Sequence, residues 1–519
     1  DNVRLGENAG DSIASGGNNN VLIGKDAGTA ITTGDGNVAV GFEALKTEDA
    51  NGHNTAVGYQ ALKTLNAGAD SLNTAVGYQA GTAITTGTSN TLIGAGAGDV
   101  VTVGHYNIAV GEGALGADVQ GSRSVAVGWN ALNDQSFGSA TETYNTAVGF
   151  EAGCKLTDGQ YNTFIGGVAG AAHTTADWCT FVGYEAGNDN TTGTQNTFVG
   201  ARSGDLNQDG DYNTALGVNS LGANTSGGNN TALGVSALQN NTTAGLNTAV
   251  GSNCLTNNTT GGNNTAIGFN AANTGTTHSN NVAIGSYCMD AVTTGYNNVS
   301  VGQNAATALT EAASTVAVGQ NALIAVTTAN DNTALGSMAG YNCTTGANNT
   351  FVGRLAGYLS TTEGDNNVLL GYYAQGSSAT ADNEFTLGNS SITNLRCADT
   401  SISSLSDERD KKNIVDVPLG LDFINTLRPV SFDWERRDGS KKGMKDFGFV
   451  AQELKTAQEA TDYSDHMRLI TIGEMHTDDG KVEMMEADPM KTYPVLVKAV
   501  QELSEALDAA LARIKVLEG

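Results

Sequence analysis

Asn54-Thr55-Ala56-Val57-Gly58 recurs as Asn247-Thr248-Ala249-Val250-Gly251 and, with one change, as Asn264-Thr265-Ala266-Ile267-Gly268. The glycine that closes this run appears 23 times between Gly6 and Gly388, and 18 of the 22 intervals are 17 residues. Chance does not give such a period, so residues 1–390 read as one repeating body. Four or five extended residues, a glycine and a second small-residue step read as a strand, a bend and a second short strand, which with a polar turn make one coil of a parallel β-solenoid or β-roll. At roughly 4.8 Å per coil, some 22 coils would extend on the order of 100 Å.

Two neighbouring slots of the run are apolar. The residue before the glycine is Val, Ile or Leu from Ile23 onward, and the one before that is mostly Ala, with Phe at 164, 181, 198 and 351. Adjacent strand residues point to opposite faces, so both faces of the strand need cover. One face fits the coil's own interior, and the Ala-rich face suits close approach of another copy, which predicts an oligomer and favours a homotrimer. A monomer whose turns cover the second face stays open.

Four residues before the glycine stands Asn in 19 of 23 coils. Amides stacked at one corner suit a hydrogen-bonded ladder better than a sugar-binding rank. Longer intervals before Gly77 and Gly149 are loop insertions, and the second carries Phe137, which reads as exposed and available for specific contacts.

Composition narrows the partners. The first 405 residues hold 9 basic and 30 acidic residues, net −21, and no proline. Such acidity disfavours nucleic acid and anionic membrane, and no apolar run is long enough for a transmembrane helix. The chain opens at Asp1 rather than Met, which leaves room for a preceding segment. Cys254 and Cys288 occupy equivalent slots two coils apart, too far for a disulfide, and read as small buried residues. Asp205 to Gly210 opens like a calcium loop, but its twelfth position is the core residue Leu216. His53, His105, His173 and His278 do not share a slot. No metal and no cofactor are expected.

The character changes at Ser406-Asp407-Glu408-Arg409-Asp410-Lys411-Lys412-Asn413-Ile414: all four prolines lie after it, and 16 of the 25 basic residues lie from Ser406 onward. Read alone, these nine residues are a polar linker, although a serine and a lysine five apart can also form a nucleophile and its base. Further on, Val500, Leu503, Leu507, Ala510, Ile514 and Leu517 alternate at spacings of 3 and 4, as in a coiled-coil seam. The domains expected are a shaft over 1–390, a junction over 391–405 and a small α+β module over 406–519 ending in a long helix.

Residues 406–519 closely resemble the intramolecular chaperone auto-processing domain, the endosialidase-type peptidase, at the C-terminus of bacteriophage tailspikes and tail fibres. The likeness rests on Ser406-Asp407-x-Arg409-x-Lys411-Lys412-Asn413-Ile414, Leu427-Arg428-Pro429-Val430, Gly448-Phe449-Val450-Ala451-Gln452-Glu453, and Tyr493-Pro494-Val495-Leu496 through Glu502-Leu503. The repeat is similar to the β-roll of trimeric autotransporter adhesin heads, though its period of 17 is longer. The resemblance implies a trimeric chaperone that aligns three chains and is released by cutting between Leu405 and Ser406. Ser406 would be the nucleophile and Lys411 the base, with Asp407, Arg409 and Asn413 orienting. Arg409 and Lys412 are candidates for lowering the pKa of that lysine.

The function expected is a tail fibre or receptor-binding fibre, in the virion and extracellular when functional, assembled in the host cytoplasm. Its partners would be two further copies, a host-surface glycan or protein receptor, and other tail proteins. At most it is an autocatalytic serine-lysine endopeptidase acting once on its own chain. A bacterial trimeric adhesin and a polysaccharide-degrading tailspike are the alternatives.

Overall fold

The computed structural model describes residues 1–359, 363–392, 394–396, 406–435, 442–477 and 480–519. They fall into two compact units, Asp1–Asn348 and Asn349–Gly519.

The first unit is a parallel β-solenoid. Each coil contributes a three-residue strand, such as Thr231–Leu233 or Thr248–Val250, and successive strands pair in parallel and in register, Ala232 against Ala249 and Ala249 against Ala266. The step after the glycine, expected as a second short strand, is a run of turns instead, as over 235–240. The period follows from the glycine that ends each strand. Gly58 holds φ at +140°, and a Cβ there would stand 2.1 Å from the carbonyl oxygen of Gly77 in the next coil. Only glycine permits both that dihedral and that approach.

The Asn column is a ladder, but it runs largely from side chain to backbone. Asn90 Oδ1 accepts the backbone N–H of Asn107 (2.9 Å), and Asn90 Nδ2 donates to the Gly104 carbonyl across the coil (2.9 Å). These amides are buried, which satisfies backbone groups that the turn would otherwise strand. No sugar can reach them.

The orientation of the two apolar slots is opposite to the expectation. The Ala and Phe slot is fully buried in the coil's own interior, where the Phe164, Phe181 and Phe198 rings follow one another at 5.4 and 5.0 Å. The Val, Ile and Leu slot points outward and is half-exposed, as at Val76, Ile93 and Leu216. Period-two alternation states that the two slots face opposite ways, not which faces in.

Interior volume decides it. Four residues after the glycine lies a second inward column, and its size complements the first. Phe164, Phe181 and Phe198 go with Gly170, Gly187 and Gly204, whereas Ala215, Ala232 and Ala249 go with Leu221, Leu238 and Leu255. A Cβ on Gly204 would lie 2.5 Å from the Phe198 ring. Large and small thus trade places within one small cross-section, as close packing requires.

A third inward column, seven residues after the glycine, is apolar at Ile84 and Val101 and polar from His173 through Asn190, Asn207, Asn224, Asn241 and Asn258. Each asparagine donates to its own turn, as Asn224 Nδ2 does to Gly227 O (2.9 Å), and to the preceding rung, Asn207 Oδ1 (2.6 Å). Asn207, in the segment that opens like a calcium loop, is therefore committed to the interior. His173 begins the run, with Nε2 donating to Ala176 O (2.9 Å) and Nδ1 accepting from Asn190 Nδ2 (2.8 Å).

The insertion before Gly149 also departs from expectation, because Phe137 is buried. Its loop folds back to pair Thr141–Glu142 with Gly121–Ser122, and the buried Asp118 carboxylate accepts from Gln135 Nε2 (2.7 Å) and Gly121 N (3.0 Å). Cys254 and Cys288 are buried free thiols, pushed up to about 12 by burial.

The second unit holds three further repeat strands, Thr350–Val352, Val368–Leu370 and Phe385–Leu387, paired in parallel. It also holds the C-terminal module. The module contains helices α1 (Leu421–Ile424), α2 (Ala451–Glu459), α3 (Ser464–Met467) and α4 (Tyr493–Glu518), and two antiparallel strand pairs. Its core is Phe423, Leu454, Met467, Leu469 and Val495.

Two measurements test this account. Phe198→Ala should cost about 3–5 kcal/mol in chemical denaturation, and Gly204→Leu alone should also destabilise. The double variant, which has the composition of the following coil where Leu221 holds φ at +53°, should recover most of the loss; simple additivity would refute the complementarity. Burial lowers His173 from 6.5 to about 4. The unfolded chain therefore binds the proton first on acidification, so this contribution is complete above pH 6.5 and drains away as pH falls toward 4, by up to about 3 kcal/mol. His173→Asn should flatten that part of the stability profile.

Candidate functional site

The nine-residue stretch at 406–414 builds its geometry from one short turn. Asp407 caps a 3-10 helix over Glu408–Asp410, accepting the Arg409 backbone N–H at 2.9 Å. The Arg409 guanidinium closes onto the same carboxylate, with Nε 3.0 Å from Oδ1 and Nη2 2.6 Å from Oδ2. That pairing holds the Asp407 carboxyl below its usual range. The Lys411 backbone N–H then bonds to Glu408 O at 3.1 Å, which ends the turn and sends the lysine back over its start.

The consequence is a contact between the two residues that the sequence singles out. Lys411 Nζ lies 2.6 Å from Ser406 Oγ and 3.2 Å from the Ser406 carbonyl oxygen. Serine and lysine are thus within proton-transfer distance. The Asp407 and Arg409 side chains bond to each other rather than to Ser406 or Lys411; they shape the turn that brings those two together. Arg409 is neutralised by Asp407, so it is a poor source of positive charge for the lysine. Asn413 adopts a left-handed φ of +55° just after the turn, and Lys412 is exposed. Leu405, the expected acyl side of the cut, lies outside the described residues.

Both Ser406 and Lys411 are exposed in the single chain. A lysine acts as a base only when neutral, and burial is the usual means of favouring that form. The dyad has its distance but not its enclosure.

The remaining sequence blocks converge on the module core. Arg428 forms a forked ion pair with Glu453, which ties the Leu427 to Val430 block to the start of α2. From α4, Glu502 Oε2 accepts the Leu421 N–H at 2.7 Å, capping α1 from 81 residues away. A Cβ on Gly420 would stand 2.2 Å from that carboxylate, so a side chain there would displace the clamp. The Glu502 clamp carries no local sequence signal, because its partner is a backbone group in another block. Val495 and Ala499 of α4 are buried, while Val500, Leu503, Leu507, Ile514 and Leu517 stand exposed along the helix.

Residues 406–463 match the family model described as chaperone of endosialidase. The match covers the first three of the sequence blocks and stops before Tyr493. No curated protein and no solved structure matches the chain significantly. A chaperone of endosialidase that follows a long parallel β-solenoid in the chain is the organisation of a tail-fibre- or tailspike-like protein. Among the described residues no helix is long and apolar enough to cross a membrane.

Glu502→Ala should remove the cap on α1 and cost about 1.5–3 kcal/mol, the range for a hydrogen bond to a charged group. Faster hydrogen exchange at the Leu421 amide, with solenoid amides unchanged, is the expected readout.

Proposed function

We propose that the chain is a fibre that mediates host attachment, with a shaft over 1–390, a junction over 391–405 and a trimerising, self-cleaving chaperone over 406–519. The single observation that carries the chemistry is the 2.6 Å contact between Lys411 Nζ and Ser406 Oγ at the first residue of the chaperone match. Two features support self-association: the half-exposed Val, Ile and Leu column of the solenoid and the exposed apolar seam of α4. Exposed stripes of that length are uncommon on monomers. Three copies would bury them. The same reading places the protein in the virion tail, where it would contact host receptor and other tail proteins.

In the cleavage step, neutral Lys411 takes the proton of Ser406 Oγ as the oxygen attacks the Leu405 carbonyl carbon. The C–N bond breaks, Lys411 returns the proton to the Ser406 nitrogen, and the acyl group is left on oxygen as an ester. Water hydrolyses the ester to give a C-terminal Leu405 carboxylate and a free Ser406 amine. Because Lys411 is exposed in one chain, the neutral form would be favoured only when copies assemble and enclose it. Cleavage would then follow trimerisation.

The test is intact mass and oligomeric state of the expressed full chain. Wild type should release a fragment beginning at Ser406, whereas Ser406→Ala and Lys411→Ala should stay full-length and trimeric. The initial rate should rise more steeply than linearly with chain concentration. Release from Ser406→Ala, or strictly first-order release from monomer, would overturn the assignment.

A further inference from the structure

Five positions before each repeat glycine, the coil turns a corner with a left-handed residue, and from Tyr106 to Tyr212 this corner carries mostly aromatic rings. Backbone bonds keep the column in step, Trp178 N to Gln160 O at 3.1 Å and Gln195 N to Asp177 O at 3.0 Å. Within the column the rings lie face to face. Tyr144 and Tyr161 stack at 5.7 Å and 12°, Tyr161 and Trp178 at 4.1 Å and 9°. The Arg123 guanidinium occupies the rung between Tyr106 and Tyr144, 5.1 and 5.6 Å from their centroids. Rings so stacked expose edges, and their faces are already used.

At Trp178 this run of stacked rings ends. The next rung is Gln195, whose exposed side chain has no hydrogen-bond partner among the described residues, and beyond it stands Tyr212. Trp178 is 57% exposed and Tyr212 is 55% exposed, and Tyr212 has no ring partner among the described residues. Carboxylates flank the rung on the same corner. Asp177 Oδ1 accepts Gln160 N (2.7 Å), and Asp211 Oδ1 accepts Thr194 N (2.7 Å) and Oγ1 (3.1 Å). The Oδ2 atom of each has no partner among the described residues.

We infer that this corner is a carbohydrate site, with Trp178 as its platform and a neutral pyranose of a glycan as its ligand. The apolar C–H face of the sugar packs on the side of the exposed indole that has no ring contact, hydroxyls donate to Asp177 and Asp211 Oδ2, and the Gln195 amide supplies both a donor and an acceptor. Aromatic surface with a few fixed polar groups is the usual composition of a small-ligand site. Sialylated or otherwise anionic sugars are disfavoured by the two carboxylates and by the net charge of −21 over the first 405 residues. The site gives the attachment reading above a receptor class, and its biological occupant rests on that reading.

The experiment uses the full chain against immobilised neutral hexose and N-acetylhexosamine oligosaccharides, sialylated counterparts and an arginine-rich peptide, with binding to host cells measured in parallel. Neutral glycans should bind, and Trp178→Ala should weaken them by about 10-fold or more. Gln195→Tyr should do the same while leaving Trp178 in place, because a ring at that rung would continue the stack and cover the face. Unchanged binding in Gln195→Tyr, a preference for sialylated glycan or for the arginine peptide, or no glycan binding by wild type would each overturn the site. Cell binding that survives Trp178→Ala would remove the site and leave the attachment reading. Glycan binding without cell binding would do the reverse.

Discussion

Everything in the solenoid depends on how closely one glycine approaches the next. A Cβ at Gly58, Gly111 or Gly128 would meet the following coil's carbonyl at 2.1 to 2.2 Å, so no other residue can close the strand there. This contact fixes where each coil bends, and the bend fixes the registers of the strand, the buried Asn ladder and the three inward columns. The rungs of the Asn ladder then repeat at 17 residues, as from Asn107 N to Asn90 Oδ1, and the backbone bonds between coils at 16 and 18, as from Thr214 N to Asn230 O and from Gly217 N to Val199 O. The interior has no freedom left except the size of its side chains, and there the Phe with Gly and Ala with Leu pairings fill one constant cross-section in two ways.

The parts of the fold that repeat were legible in the sequence because repetition turns a weak local preference into a count. The glycine period and the Asn ladder were readable from spacing, whereas the extended run is only three residues long and the small-residue step after the glycine is a series of turns rather than a second strand. The inward face was not, because Val and Ala are both apolar and alternation carries no sign. It could have been read from covariation within the repeat, since each Phe of the 164 to 198 block has a glycine six residues later. Phe137 sits in a loop insertion, which in a sequence reads as exposed, but bonds from Phe137 N and Gln135 Nε2 to the Asp118 carboxylate hold the loop against the coil.

The candidate site divides the same way. Ser406 and Lys411 were legible as a pair, and the turn between them follows from an Asp at an N-cap position. Their enclosure was not legible, nor is it present in one chain. Glu502 stands in one of the resembling blocks, but its clamp on the Leu421 N–H depends on tertiary contact. The aromatic corner was open to the same count that found the glycines, but it holds in only part of the column, and its meaning lies in the rung beyond Trp178, where the stack gives way to Gln195.

Buried columns and outer columns carry different information. Inside, the coils are distinguishable: a Phe block from 164 to 198, a histidine at 173 and an amide run to Asn258 mark position along the chain. A coil mispaired within its own chain would put Phe against Leu or leave Gly opposite Ala, so internal register is well specified. Outside, the column that another copy would meet is a nearly uniform succession of Val, Ile and Leu. In the trimer proposed above, two copies docked one coil out of step would lose little, because the distinguishing residues face away from the contact. Alignment between chains must therefore be set elsewhere, by a part of the molecule that does not repeat. The C-terminal module, with its four distinct sequence blocks, cross-linked by Arg428 to Glu453 and Glu502 to Leu421, is the non-repeating part able to do so.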